Sequence, residues 1–201
     1  IYSDAELERD QSISRETVQT ILDPVDTADN QYARWKRPVC FNVYGLSETA
    51  KYVVERRLKE VAQQVGAPLD RRDPCPPTVT IVFTTDPRAT LESIAQVRPW
   101  LVPGLSMIRS ALRESQPIQA WYNTYVTNDN GYTILEYDGY TEDPLYATSN
   151  TVSRISSGVS TAMASVVMVV DTKAVMGLQL GTLADHFALL SLAQARARRS
   201  C

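Results

Sequence analysis

This sequence predicts an α+β fold, a mixed β-sheet covered by two or three helices. Three observations carry that reading. Residues 37–95 alternate strand, helix, strand, helix, which is the order of a βαβ unit. From Ile118 onward, strand-like segments surround the turn signal "NDNG", as a hairpin requires. The chain then closes on an apolar helix near Thr182–Gln194.

The elements follow in order. The first 35 residues are polar, with one weak apolar face at Val18, Ile21, Leu22 and Val25. That spacing supports one short helix from about Arg15 to Leu22, stopped before Pro24. The segment is too polar for a core of its own, so residues 1–35 are expected to be an arm that packs on the domain or on a partner. Residues 36–197 make the single α+β domain and 198–201 a tail. The segment "PVCFNVYGL" reads as a strand. Ser47 then caps a helix whose Ala50, Val53, Val54, Leu58, Val61, Ala62 and Val65 share a face, with Gly66 as the stop. A Pro-rich connection leads to the strand "TVTIVFTT", and Asp86-Pro87 opens a helix through about Ala95. A further short helix is expected at Leu105–Arg113. In the second half, "IQAWYNTYVT" and "GYTILEYDGY" are the hairpin arms, and "NTVSRISSG" and "MASVVMVVD" are further strands. The last helix is expected to begin near Thr182, with Asp185 completing a Thr-x-x-Asp cap and His186 in its first turn.

Composition narrows the function. Twenty basic against 23 acidic residues give a net charge of −3, so no global field for nucleic acid exists. The basic run "ARARRSC" reads as a solvated helix end. No window reaches the roughly 18 apolar residues of a membrane-spanning helix. The longest apolar run, within "TAMASVVMVVD", has the length and β-branching of a buried strand. The chain opens at Ile1, read as either a processed mature start or a shortened one.

Cys40 and Cys75 each stand just before or within a predicted strand. Were those strands parallel neighbours, their starts would lie side by side, close enough for a disulfide. Such a bond would stabilise the fold by roughly 3–4 kcal/mol in the chain-entropy model. The disulfide is preferred to a pair of reduced buried thiols, and with it a periplasmic or extracellular setting. Cys201 is then the odd cysteine, either free or paired between chains.

Candidate chemistry is sparse. His186 is the only histidine, and leucines stand where a second zinc ligand would fall in "ADHFALLSL", so no metal site is expected. No Gly-x-Ser-x-Gly elbow, phosphate loop or dinucleotide fingerprint occurs, so neither catalytic residues nor a cofactor are assigned. The acidic segment with Glu136, Asp138, Glu142 and Asp143 is a solvated loop in the plain reading and a weak cation site in the sharper one. Six of the ten tyrosines lie between Tyr122 and Tyr146. Trp121, Tyr122, Tyr125, Tyr132, Tyr137, Tyr140 and Tyr146 are therefore candidate interface residues, against a plain reading of cross-strand packing. On a strand, Trp121 and Tyr125 face opposite to Tyr122.

Taken together, Arg34-Trp35, Pro38, Cys40, Cys75, Val170-Asp171 and the run Leu178–Asp185 resemble a family of uncharacterised exported proteins of alphaproteobacteria, sphingomonad-type especially. The resemblance spans roughly Tyr32–Gln194 and implies export and a disulfide, but no activity. It also implies an aromatic such as tyrosine at the position of His186. The strand, loop and buried helix at the end are faintly similar to zincin-like peptidases without their metal motif.

The expected function is a non-catalytic, exported binding or accessory subunit of a larger envelope or extracellular assembly, with a protein partner. A homo-oligomer is compatible with it. A hydrolase or degenerate peptidase on a zincin-like scaffold is the alternative. Carbohydrate or peptidoglycan binding through the Trp121–Tyr146 aromatics is the third reading.

Overall fold

The computed structural model describes residues 33–102, 116–128 and 159–193. Its described elements are β1 (Phe41–Tyr44), α1 (Glu48–Gln64), β2 (Val79–Thr84), α2 (Pro87–Val97), β3 (Ile118–Asn128), β4 (Val159–Asp171) and α3 (Leu180–Ala193). The four strands form one mixed sheet in the order β1-β2-β4-β3, giving the α+β fold that the sequence predicts. β1, β2 and β4 run parallel, and β3 lies antiparallel to β4 at one edge. Because β1 and β2 are parallel neighbours joined by α1, the first half is a βαβ unit.

Local chemistry sets the helix ends. The Ser47 hydroxyl accepts from the Ala50 N–H at the start of α1, and Glu48 adds a negative charge to the first turn. Gly66, at φ +71°, turns the chain beyond the helix end. At α2, the Asp86 carboxylate accepts from the Ala89 N–H and Pro87 occupies the first turn. Thr90 Oγ1 donates to the Asp86 carbonyl and meets Thr84 Oγ1 at 2.9 Å, fastening α2 to the end of β2.

β4 explains the long apolar run. Its Val166, Met168 and Val170 enter the main core with Phe41, Val43, Ile81 and Phe83, under Val54 and Leu58 of α1 and Phe187 of α3. Val167 and Val169 point the other way and pack with Leu91 of α2, Val102 and Trp121. Both faces of β4 are covered, so the strand is apolar without alternation. Met163 also belongs to the main core, an odd number of residues from Val166. A register shift between Asn123 and Thr124 resolves this by placing Ala164 opposite no partner, so Met163 and Val166 share a face. Phe83 and Phe187 meet edge to face at 5.7 Å in the middle of the core.

α3 differs from expectation. It begins at Leu180, not near Thr182, so Asp185 sits inside the helix and caps nothing. Its carboxylate instead receives Arg57 of α1, with Nε–Oδ1 at 2.7 Å and Nη2–Oδ2 at 3.3 Å, joining the two helices. His186 is half-buried in the second turn, and burial holds its pKa below the ordinary 6.5.

Residues 33–35 lie against the sheet. Arg34 bridges Ala162 in parallel, Ala33 is buried, and Trp35 packs on the main core. Lys36 Nζ donates to Thr127 Oγ1 and Ser160 Oγ, and the Arg37 guanidinium stands over the Tyr125 ring at 5.0 Å. No described helix is long and apolar enough to cross a membrane. The rest of the arm, the helix expected at 105–113, the second hairpin arm, the strand "NTVSRISSG", the tail and Cys201 lie outside the described residues.

Candidate functional site

The described surface holds a groove of about 920 Å³ beside β1. Its three sides come from different parts of the βαβ unit. α1 supplies Lys51, Glu55, Lys59 and Gln63, a stripe at four-residue spacing that runs beside the buried row Val54, Leu58 and Ala62. The free edge of β1 supplies the floor. The connection 66–75 forms the far wall.

That wall is folded back by specific bonds. Val39 N–H donates to the Pro68 carbonyl at 2.6 Å, and Asp70 N–H returns to the Val39 carbonyl at 2.9 Å. Asp70 then accepts from the Arg72 backbone and guanidinium, a local turn that holds its carboxyl down at about 2. The Cys40–Cys75 disulfide closes the wall, with Cα atoms 6.0 Å apart. It forms because the starts of β1 and β2 are adjacent, since Val79 N–H donates to the Cys40 carbonyl and Cys40 N–H to Thr78 Oγ1.

The edge of β1 is only partly engaged. The Cys40 carbonyl bonds to β2, so alternation along the strand turns the backbone groups of Phe41 and Val43 outward. The Val43 N–H is taken by Glu55 Oε1 at 3.1 Å. Asp70 and Glu55 are thus committed to local bonds. Lys51, Lys59 and Arg71 have no ion-pair partner among the described residues.

The candidate interface aromatics divide. Trp121 turns toward α2 and packs against the second core cluster, whereas Tyr122 faces the main core. Burial raises the Tyr122 hydroxyl pKa far above its usual 10.0, and that hydroxyl donates to the Leu190 carbonyl at 3.0 Å. Tyr125 lies under Arg37. Tyr132, Tyr137, Tyr140 and Tyr146, like Glu136, Asp138, Glu142 and Asp143, lie outside the described residues. Among the described residues, no three histidine, cysteine, aspartate or glutamate side chains are grouped to hold a metal ion.

Sequence reasoning found Cys40 and Cys75 but missed the groove between them. The signal available was the polar i, i+4 stripe of α1. Such a stripe normally faces solvent, and nothing local says that residues 66–75 will fold back beside it.

No family model matches the chain, and no curated protein or solved structure matches it significantly.

Proposed function

We propose that the protein is an exported binding subunit, docking to a larger envelope or extracellular protein assembly and acting by holding a partner. The observation that carries this reading is the groove beside β1. It is assembled on a strand, a helix and a disulfide-closed connection, so its shape is fixed before any partner arrives. The disulfide favours a periplasmic or extracellular setting, where such bonds persist. The family resemblance read from Arg34-Trp35, Cys40, Cys75 and Val170-Asp171 points the same way.

Native mass spectrometry of the protein, taken from its source extract without reductant, tests both parts. The expected result is a chain lighter than the reduced form by the hydrogens of a disulfide, found within a larger complex. A lone monomer with free thiols at Cys40 and Cys75 overturns the proposal.

A further inference from the structure

We infer that the groove takes an acidic, extended segment of the partner protein, which adds as a short strand to the outer edge of β1. The inference rests on the binding-subunit reading above and names the chemistry of what that subunit holds.

Charge supports the acidic character. Four cations line the groove, Lys51, Lys59, Arg71 and Arg72, against Glu55, Asp70 and Asp73. Arg72 is consumed by Asp70, and the Glu55 carboxylate is turned to the Val43 N–H. With Asp70 and Arg72 paired, Lys51, Lys59 and Arg71 stand against the carboxylates of Glu55, which keeps its charge while accepting from the Val43 N–H, and Asp73, so the groove lining is positive by one charge. The two lysines stand two turns apart on one face of α1, and Arg71 rises from the opposite wall. An occupant lying between them therefore meets positive charge from both sides.

The backbone supports the extended form. Val39 is occupied on the groove side by residues 68–70, and Val43 N–H by Glu55. Between these two positions the N–H and C=O of Phe41 point into the groove, with no backbone partner there among the described residues. An added strand accepts from the Phe41 N–H and donates to its carbonyl, and places its side chains alternately on the two faces of the sheet. Glu55 already occupies, with a carboxylate, the place an added strand's carbonyl would take at Val43. Carboxylate side chains on the segment reach Lys51, Lys59 and Arg71 from that register.

The test is fluorescence anisotropy with a fluorescein-labelled Glu-Val repeat of roughly eight residues as probe, on the full disulfide-bonded chain. The expected result is saturable binding that weakens as salt rises from about 0.05 M to about 0.5 M, with no binding of a Lys-Val repeat. Combining Lys51→Glu, Lys59→Glu and Arg71→Glu should weaken it by roughly tenfold or more, whereas Lys173→Glu outside the groove leaves it unchanged. Circular dichroism and the intact disulfide show that both variants are folded. A Glu-Val probe with alternate N-methylated amides should also bind weakly, since it cannot complete the strand pairing. Absent binding, binding that survives the triple reversal, or equal binding of the N-methylated probe each overturns the inference. Should the native complex form equally well with the triple variant, the groove assignment fails while the binding-subunit reading stands.

Discussion

The indole of Trp35 donates a 2.8 Å hydrogen bond to the carbonyl of Ser191, across 156 positions of sequence. One residue earlier, the Leu190 carbonyl accepts from the Tyr122 hydroxyl at 3.0 Å. Both carbonyls belong to successive residues of α3, the helix packed over the main core. A segment before β1 and a residue of β3 thus both fasten to the helix that covers the main core. Trp35→Phe and Tyr122→Phe each remove one donor and keep most of the packing. Each is expected to cost about 1 kcal/mol in urea denaturation. Midpoints identical to the native protein would show that water satisfies those carbonyls equally well.

The disulfide has a larger predicted effect. Cys40 and Cys75 are 35 residues apart, and closing a loop of that length restricts the unfolded chain by about 4 kcal/mol in the entropy model. The double replacement Cys40→Ser and Cys75→Ser should lower stability by that order. Reduction of the native protein should do the same, and should also loosen the 66–75 wall. Hydrogen exchange across residues 66–75 checks the second point, because the two backbone bonds to Val39 then hold the wall to β1 without the covalent link.

These contacts also show what the sequence could and could not reveal. Ser47, Gly66 and Asp86-Pro87 were legible because each acts on a backbone within a few residues of itself. The cysteine pair was legible once two strands were read as parallel neighbours. The insertion of β4 between β2 and β3 was not, since it is decided by which apolar faces meet after collapse. The start of α3 was misread because Gln179, whose carbonyl accepts the first helical bond from the Leu183 N–H, is not one of the usual capping residues, while Thr182 and Asp185 do resemble a cap. Asp185 answers to Arg57 instead, a partner 128 positions away. The groove was invisible for the same reason: Lys51 and Lys59 acquire a facing wall through the Val39–Pro68 and Val39–Asp70 bonds together with the Cys40–Cys75 disulfide.

Gly45 gives a backbone prediction. It has φ +82°, and a Cβ placed there would stand 2.0 Å from the Phe83 carbonyl oxygen. The chain leaves β1 by crossing tightly over the end of β2, so neither the conformation nor the space admits a side chain. Gly45→Ala should destabilise by at least about 2 kcal/mol in urea denaturation. Gly66→Ala meets strain at φ +71° but open space, so its cost should be smaller.

Asp70 sets an acid limit. Its folded pKa, about 2, lies below the ordinary 3.8 because Arg72 donates to the carboxylate. The unfolded chain therefore takes up this proton first as pH falls. Stability from the Asp70–Arg72 turn is fully present above 3.8 and lost as pH drops toward 2. Asp70→Asn should flatten the stability profile across that window, measured by denaturation midpoints at stepped pH. A slope unchanged by the substitution would place the acid sensitivity elsewhere.

His186 acts nearer neutrality and with the sign reversed from a histidine that gains an acidic partner. Burial disfavours its charged form, so the folded pKa lies below the ordinary 6.5. Above 6.5 the ring is neutral in both folded and unfolded chains and contributes no pH dependence. As pH falls below 6.5 the unfolded chain binds the proton first, and stability declines until the folded pKa is passed. His186→Tyr replaces the ring with one that stays neutral through this range. Denaturation midpoints from pH 7.5 to about 5 should fall for the native protein and stay level for the variant. A native profile that is flat, or that rises on acidification, would mean that the imidazolium finds a compensating partner in the folded protein. That would reopen the chemistry of the chain's only histidine.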